Sequence, residues 1–259
     1  IRMPGMLTSL RHVIFYNLVD IPEGVLEDCE NLETVEIIDA RSIQGYAFSG
    51  CKKLKTVIMP QVQTIGKRAF AGCRNLRTLT MPQVQTIEDS AFGCCKRLNN
   101  LTVPQVQTIG RWAFHSCISL RTVILPQVTQ IRIGAFARCT NLQTVTMPRV
   151  QTIEDSAFFG CRNLKDVDMP AVRKIEADAF KNCAKLGNVI MPPEAQVNIR
   201  SAFEGTRMNI RMVNGKEIPI RNYSTIFIGA GDENDFNTVE QLLQQVNLEL
   251  IWKSNVKHI

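Results

Sequence analysis

Cysteine returns at a fixed interval along this chain: Cys29, Cys51, Cys73, Cys95, Cys117, Cys139, Cys161 and Cys183 stand 22 residues apart. A strict period of this length means that one short supersecondary unit is repeated and stacked on itself. Other positions keep the same period. Leu follows each Cys by three residues, as at Leu54, Leu76 and Leu98. Val or Leu follows three later, then an apolar residue before Pro, as in Met59-Pro60 and Val103-Pro104. Val62 and Ile65 come next, with their equivalents in each unit, and every unit closes with Ala-Phe, as in Ala69-Phe70.

One unit can be read physically. Val57 and Met59 point one way and Thr56 and Ile58 the other, the alternation of a short strand. Pro lacks a backbone N–H and ends it. Ile65, Ala69, Phe70 and Cys73 have a spacing that suits one or two helical turns. A single unit cannot bury its apolar side. Stacked units bury it continuously, with parallel strands about 4.8 Å apart on one face. The ends of the array are degenerate. Leu7 sits where Cys is expected, Ala202-Phe203 arrives one residue late after Pro192-Pro193, and Thr206 replaces the last Cys.

The motif Cys-x-x-Leu-x-x-Val-x-Met-Pro-x-Val-x-x-Ile-x-x-x-Ala-Phe-x-x-Cys resembles the BspA-like class of leucine-rich repeats. The resemblance implies an α/β, right-handed leucine-rich-repeat solenoid with strands on the concave face and short helical turns on the convex face. It also implies a place among surface and secreted proteins, several of them adhesive. Gly66 and Gly110 match a Gly common in the family's turn, whereas Glu88, Glu154 and Glu176 depart from it. The expected organisation is a solenoid over residues 1–206 and a C-terminal cap or small α/β region over 207–259.

The cysteine spacing argues against metal and disulfides. Zinc sites need close Cys or His pairs. Disulfides need Cα atoms within about 7 Å, which the wide outer side of a curved solenoid exceeds. A ladder of free thiols acting as small apolar groups is expected instead. Cys94 is the out-of-register thiol, read either as reactive or as a neutral substitution.

Net charge is +6 and aromatic content 7%, with most aromatics at the repeated Phe; a nucleic-acid partner is therefore not expected. The apolar runs are too short for a transmembrane segment. The opening residues form no secretory signal, and the chain begins inside a repeat, so a leader or upstream domain is expected to be missing from it.

No catalytic residues, cofactor or metal are assigned. His115 lies two residues before Cys117, but positions two apart on a helical turn diverge. Asp166 and Asp168 share one strand face without a third ligand nearby. Gly229-Ala230-Gly231 lacks the Lys of a phosphate loop, and Asp232, Glu233 and Asp235 lack calcium-loop spacing.

Two surfaces are candidates for a partner. The strand face exposes Thr56, Ile58, Thr78, Thr80, Asn100 and Thr102, continued by Thr122, Ile124, Thr144, Thr146, Asp166 and Asp168. It reads as a protein or glycan contact surface, or simply as residues that suit strands. Just after the cysteines, Lys52, Lys53, Lys55, Arg74 and Arg77, then Lys96, Arg97 and Arg121, fall in one phase. They read as a ridge for an anionic partner or as a solvated edge. After Thr206 the period stops. Ile210 to Val213 and Glu217 to Ile220 read as a hairpin about Asn214-Gly215. A strand is expected at 225–228, a helix from Asn237 with Glu240 in a capping box, and a strand at 248–252. The functional expectation is a non-catalytic scaffold for adhesion, secreted or at a cell surface. The rival is the target-selecting part of a secreted effector or of a larger enzyme.

Overall fold

The computed structural model describes residues 9–192, 195–207, 209–213 and 216–220. The chain divides into two compact units, 1–206 and 207–259. The first is a parallel-strand solenoid of about eight 22-residue turns. In the second, strands Asn209–Val213 and Lys216–Ile220 pair antiparallel, with Val213 opposite Lys216. The expected turn at Asn214-Gly215, the 225–228 strand with the glycines after it, the helix from Asn237 and the 248–252 strand lie outside the described residues, as does Leu7.

Each coil contributes two strands. The longer one begins one residue before the Val position, as in Thr56–Ile58, Thr122–Ile124 and Asp166–Asp168. It pairs in parallel with its equivalent one coil away: Thr56 faces Thr78 and Val57 faces Leu79. The shorter one ends at the repeated Ile, as in Thr64–Ile65 and Thr86–Ile87, again in parallel register. The apolar spacing predicts a helical turn starting at Ile65, whereas Ile65 ends a strand. Two residues are too few to show an alternation of period two.

The helical turns are a correction. Among the described residues the one α-helix is Ile199–Ala202. In the other coils the Ala-Phe segment is a run of tight turns. Ala69 N–H donates to Gly66 O at 3.1 Å and Ala71 N–H to Arg68 O at 3.0 Å. The alternate amides leave the coil: Arg68, Phe70 and Gly72 donate to Asp89, Ala91 and Gly93 at 2.8–3.0 Å. A helix would use those amides internally four residues back. Redirecting them needs a left-handed residue twice per coil, seen as φ 55° at Arg68 and 74° at Gly72. A spacing of four, one and three fits either geometry. In the last coil an extra residue before Ala202-Phe203 provides room for an α turn, capped by Asn198, whose side chain accepts from Ser201 N–H.

The core is a set of columns parallel to the stacking direction. Phe48, Phe70, Phe92, Phe114, Phe136, Phe158, Phe180 and Phe203 are buried, with successive ring centroids 5.1–5.5 Å apart and planes within 11° of parallel. Phe15 closes one end edge-on against Phe48. Burial of one such ring is worth roughly 1.5–3 kcal/mol, and each stacked pair adds about 0.5–1.5 kcal/mol.

The two ladders are interrupted once each, at different coils. The long-strand ladder is not hydrogen-bonded between Thr78–Thr80 and Asn100–Thr102. Those are the two coils with Leu79 and Leu101 where the others carry Val. The short-strand ladder stops between Thr108–Ile109 and Gln130–Ile131, where Thr129-Gln130 inverts the Gln-Thr of the preceding coils.

Replacing Phe114 by Ala empties the middle of the ring column and removes two stacked pairs. The expected cost is about 3–5 kcal/mol, measured as a drop in the urea midpoint; a loss under about 1 kcal/mol contradicts the stacked-column account.

Candidate functional site

The cysteines are all free. All except Cys94 are buried, and seven of these eight thiols have a fixed task. Cys51 Sγ donates to Leu26 O at 3.1 Å; Cys73, Cys95, Cys117, Cys139, Cys161 and Cys183 donate to the Phe carbonyl of the preceding coil at 3.2–3.3 Å. That carbonyl also receives an N–H from within its own coil, as Phe70 O does from Cys73 at 3.2 Å. The thiol is thus both a small apolar plug and a cross-coil donor. The sequence reading found the first role. Burial pushes the Cys51 and Cys139 thiols up to about 12 and those of Cys73, Cys95, Cys117 and Cys161 well above the ordinary 9.0.

Cys117 is therefore no partner for His115. Its sulfur is fully buried and bonded to Phe92 O. His115 instead faces Ser116, with Nε2 3.0 Å from Oγ, and lies edge-on to Trp112. Burial, then the nearby Arg138, lowers its pKa. Among the described residues no group of three His, Cys, Asp or Glu gathers where it could hold a metal ion.

On either side of the break between Thr78–Thr80 and Asn100–Thr102, the strand-face columns fall in one-coil register. Thr122 faces Asn100 and Thr144, and Asp166 faces Thr144 and Asn188. Thr78, Thr80, Asn100, Thr102, Ile124, Thr144, Thr146, Asp166 and Asp168 are exposed; Thr56, Ile58 and Thr122 are half-buried. A shallow hollow of about 320 Å³ is lined by Asn99, Asn100, Ser119, Arg121 and Asn141.

The basic ridge is less uniform than its sequence phase suggests. Lys52 pairs with Glu30 and Lys55 with Glu33, both at 2.6 Å, and Lys53 donates to Asn31 Oδ1 at 2.7 Å. These lysines are tied to the coil before them. Arg74, Arg77, Lys96, Arg97 and Arg121 are exposed, and no ion pair is formed by them among the described residues. The turn glutamates, which depart from the family's Gly, are structural. Glu88 accepts from Lys67 N–H at 2.9 Å, Glu154 from Ile133 N–H at 2.9 Å and Glu176 from Asp155 N–H at 3.2 Å.

Two features were missed. Trp112 is 40% exposed. Its ring lies over Gly134, where a Cβ would fall 2.3 Å from it. The second feature is charge segregation. Residues 40–153 hold 15 Lys and Arg but only Glu88 and Asp89 as acids, a net +13; the rest of the chain is −7. A charge count by coil would have found it, where the whole-chain sum of +6 conceals it.

A stack of parallel strands repeated every 22 residues with an open face defines a leucine-rich-repeat solenoid. The BspA type leucine-rich repeat model matches residues 19–133 and 107–224, in six copies. The chain belongs to that family, whose repeats generally serve as binding scaffolds. No curated protein matches. Among solved structures, a T. pallidum leucine-rich repeat protein is similar in fold, with 23% identity, 76% of this chain and 85% of that one covered, and a TM-score of 0.56. A leucine-rich repeat protein from Eubacterium ventriosum is 18% identical over 82% of this chain and 88% of its own, with a TM-score of 0.47. No helix among the described residues is long and apolar enough to cross a membrane.

Cys94 occupies the second left-handed position of its coil (φ 62°), which Gly50, Gly72 and Gly160 fill elsewhere. Cys94→Gly is expected to stabilise the protein by about 1 kcal/mol, read from the thermal midpoint; destabilisation contradicts this assignment. The buried thiols make a separate prediction. The unfolded chain ionises its cysteines near 9.0 while the native state keeps these protons, so stability is full below that pH and falls as pH rises toward the folded values. Melting temperature should decline more steeply above pH 9 in the parent than in a Cys117→Ala variant. Equal slopes contradict a buried, protonated ladder.

Proposed function

We propose that this chain is a non-catalytic recognition scaffold whose partner, a protein or glycan, lies across the long-strand face, in adhesion at a cell surface or outside the cell. One observation carries the reading. Nine successive strands present two columns of side chains that repeat once per coil, in one-coil register within each of two hydrogen-bonded ladders, and most of those on the later coils stand free in solvent. Small Thr and Asn side chains lose little rotamer freedom on contact, and the adjoining apolar Ile124 (37% exposed) and Ile190 (54%) supply area. Family membership supports the scaffold role, and the resemblance to surface and secreted members supports the location. The right hand, the concave placement of the strands and the capping role of residues 207–259 are part of the same proposal.

The test is a screen of the whole chain against extracellular-matrix proteins and a glycan array, repeated with Thr102→Arg and Thr146→Arg. Both sites are exposed, so the fold should persist. Binding to any hit is expected to fall roughly tenfold or more, from steric and charge intrusion into the interface. Undiminished binding by both variants places the interface elsewhere.

A further inference from the structure

We infer that the free part of the basic ridge is a site for a linear sulfated glycan laid along the stacking direction. Its cations are none of the strand-face residues, so either proposal can fail alone.

Three observations converge. First, the positive charge is local: the +13 of residues 40–153 creates a field far stronger than the whole-chain charge implies. Second, that charge is compensated unevenly. At the turn edge, Glu88, Asp89 and Glu154 sit among Lys67, Arg111 and Arg132. On the ridge, Lys52 and Lys55 are bound by Glu30 and Glu33. Between residues 90 and 153 the sequence has no carboxylate at all, which leaves Arg74, Arg77, Lys96, Arg97 and Arg121 uncompensated over three successive coils. Third, a polar hollow lined by Asn99, Asn100, Ser119 and Asn141, with Arg121 in its wall, adjoins the row.

The spacing favours a polymer. Each of the three coils places a cation on the ridge, Arg74 and Arg77, then Lys96 and Arg97, then Arg121, and buried rings on successive coils lie 5.1–5.5 Å apart. That is close to the length of one pyranose residue, so anionic groups on a sugar chain meet cations coil by coil. Guanidinium groups match sulfate oxygens in a bidentate fork, and the amides of the hollow suit sugar hydroxyls. The same row is poorly equipped for single-stranded nucleic acid, which needs aromatic platforms; the ridge positions of these coils hold none.

The test is calorimetric titration of the whole chain with a size-defined heparin oligosaccharide. Its desulfated form and a single-stranded oligonucleotide of equal charge are titrated alongside. Arg77→Ser/Arg97→Ser/Arg121→Ser is compared with Arg111→Ser/Arg149→Ser/Arg173→Ser, a charge-matched set of exposed residues off the ridge; unchanged melting temperatures establish that both fold. The ridge set is expected to weaken heparin binding by about tenfold or more, and the control set by less than about twofold. Glu30→Gln/Glu33→Gln, which frees Lys52 and Lys55, is expected to tighten it. Equal loss in both triple variants, or equal affinity for heparin and for the desulfated sugar or the oligonucleotide, overturns the proposal.

Discussion

Hydrogen bonding from one coil to the next is the constraint on which everything else in the solenoid depends. A 22-residue coil has no helix or hairpin of its own with which to satisfy its amides. Its long strand, its short strand and its turn all donate along the stacking axis: Arg77 to Lys55 at 2.9 Å, Gly66 to Ile43 at 2.7 Å, Phe70 to Ala91 at 2.8 Å. An unpaired buried amide is costly, so a coil is stable only between neighbours of its own kind. That requirement holds the register at one full repeat, and the register then stacks Phe on Phe, Ile on Ile and Cys on Cys.

The buried cysteine follows from the same economy. The turn leaves the Phe carbonyl pointing toward the following coil with capacity for a second bond. A side chain there must be small, apolar and able to donate weakly. A thiol meets all three needs, and a column of thiols does so without forming disulfides. The side-chain carboxylates of Glu88, Glu154 and Glu176 meet the matching need on the donor side, by accepting turn amides of the coil before them. These glutamates explain the departures from Gly at their position: the coil gains a cross-coil acceptor in exchange for a compact turn.

The exterior is where coils differ and where function resides. The free and the paired cations of the ridge have identical sequence phase, yet Lys55 is held by Glu33 while Arg77 has Lys55 itself as its neighbour one coil back. Strand-face residues likewise range from half-buried Thr56 to exposed Thr78 at one column position. The interruptions in the ladders break the uniformity further, at coils that carry Leu79 and Leu101 or the inverted Thr129-Gln130.

Much of the fold was legible from one chain because a repeat is its own alignment. The positions of Val57, Leu54, Phe70 and Cys73 recur often enough to reveal which side chains are inside, and the Pro after Met59 marks where the strand ends. The candidate faces were legible for the same reason, as everything not in a column faces outward. The partnership of Lys52 with Glu30 was readable too, at a separation of one period, once neighbours are understood to lie 22 residues apart. The turn was not. The spacing of Ile65, Ala69 and Phe70 fits a helical turn as well as a run of tight turns, and the choice between them rests on whether an amide finds its acceptor four residues back or in the next coil. The choice of acceptor, the sites where the ladders part and the set of cations left without a carboxylate are properties of two coils in contact, with no counterpart in the pattern of one.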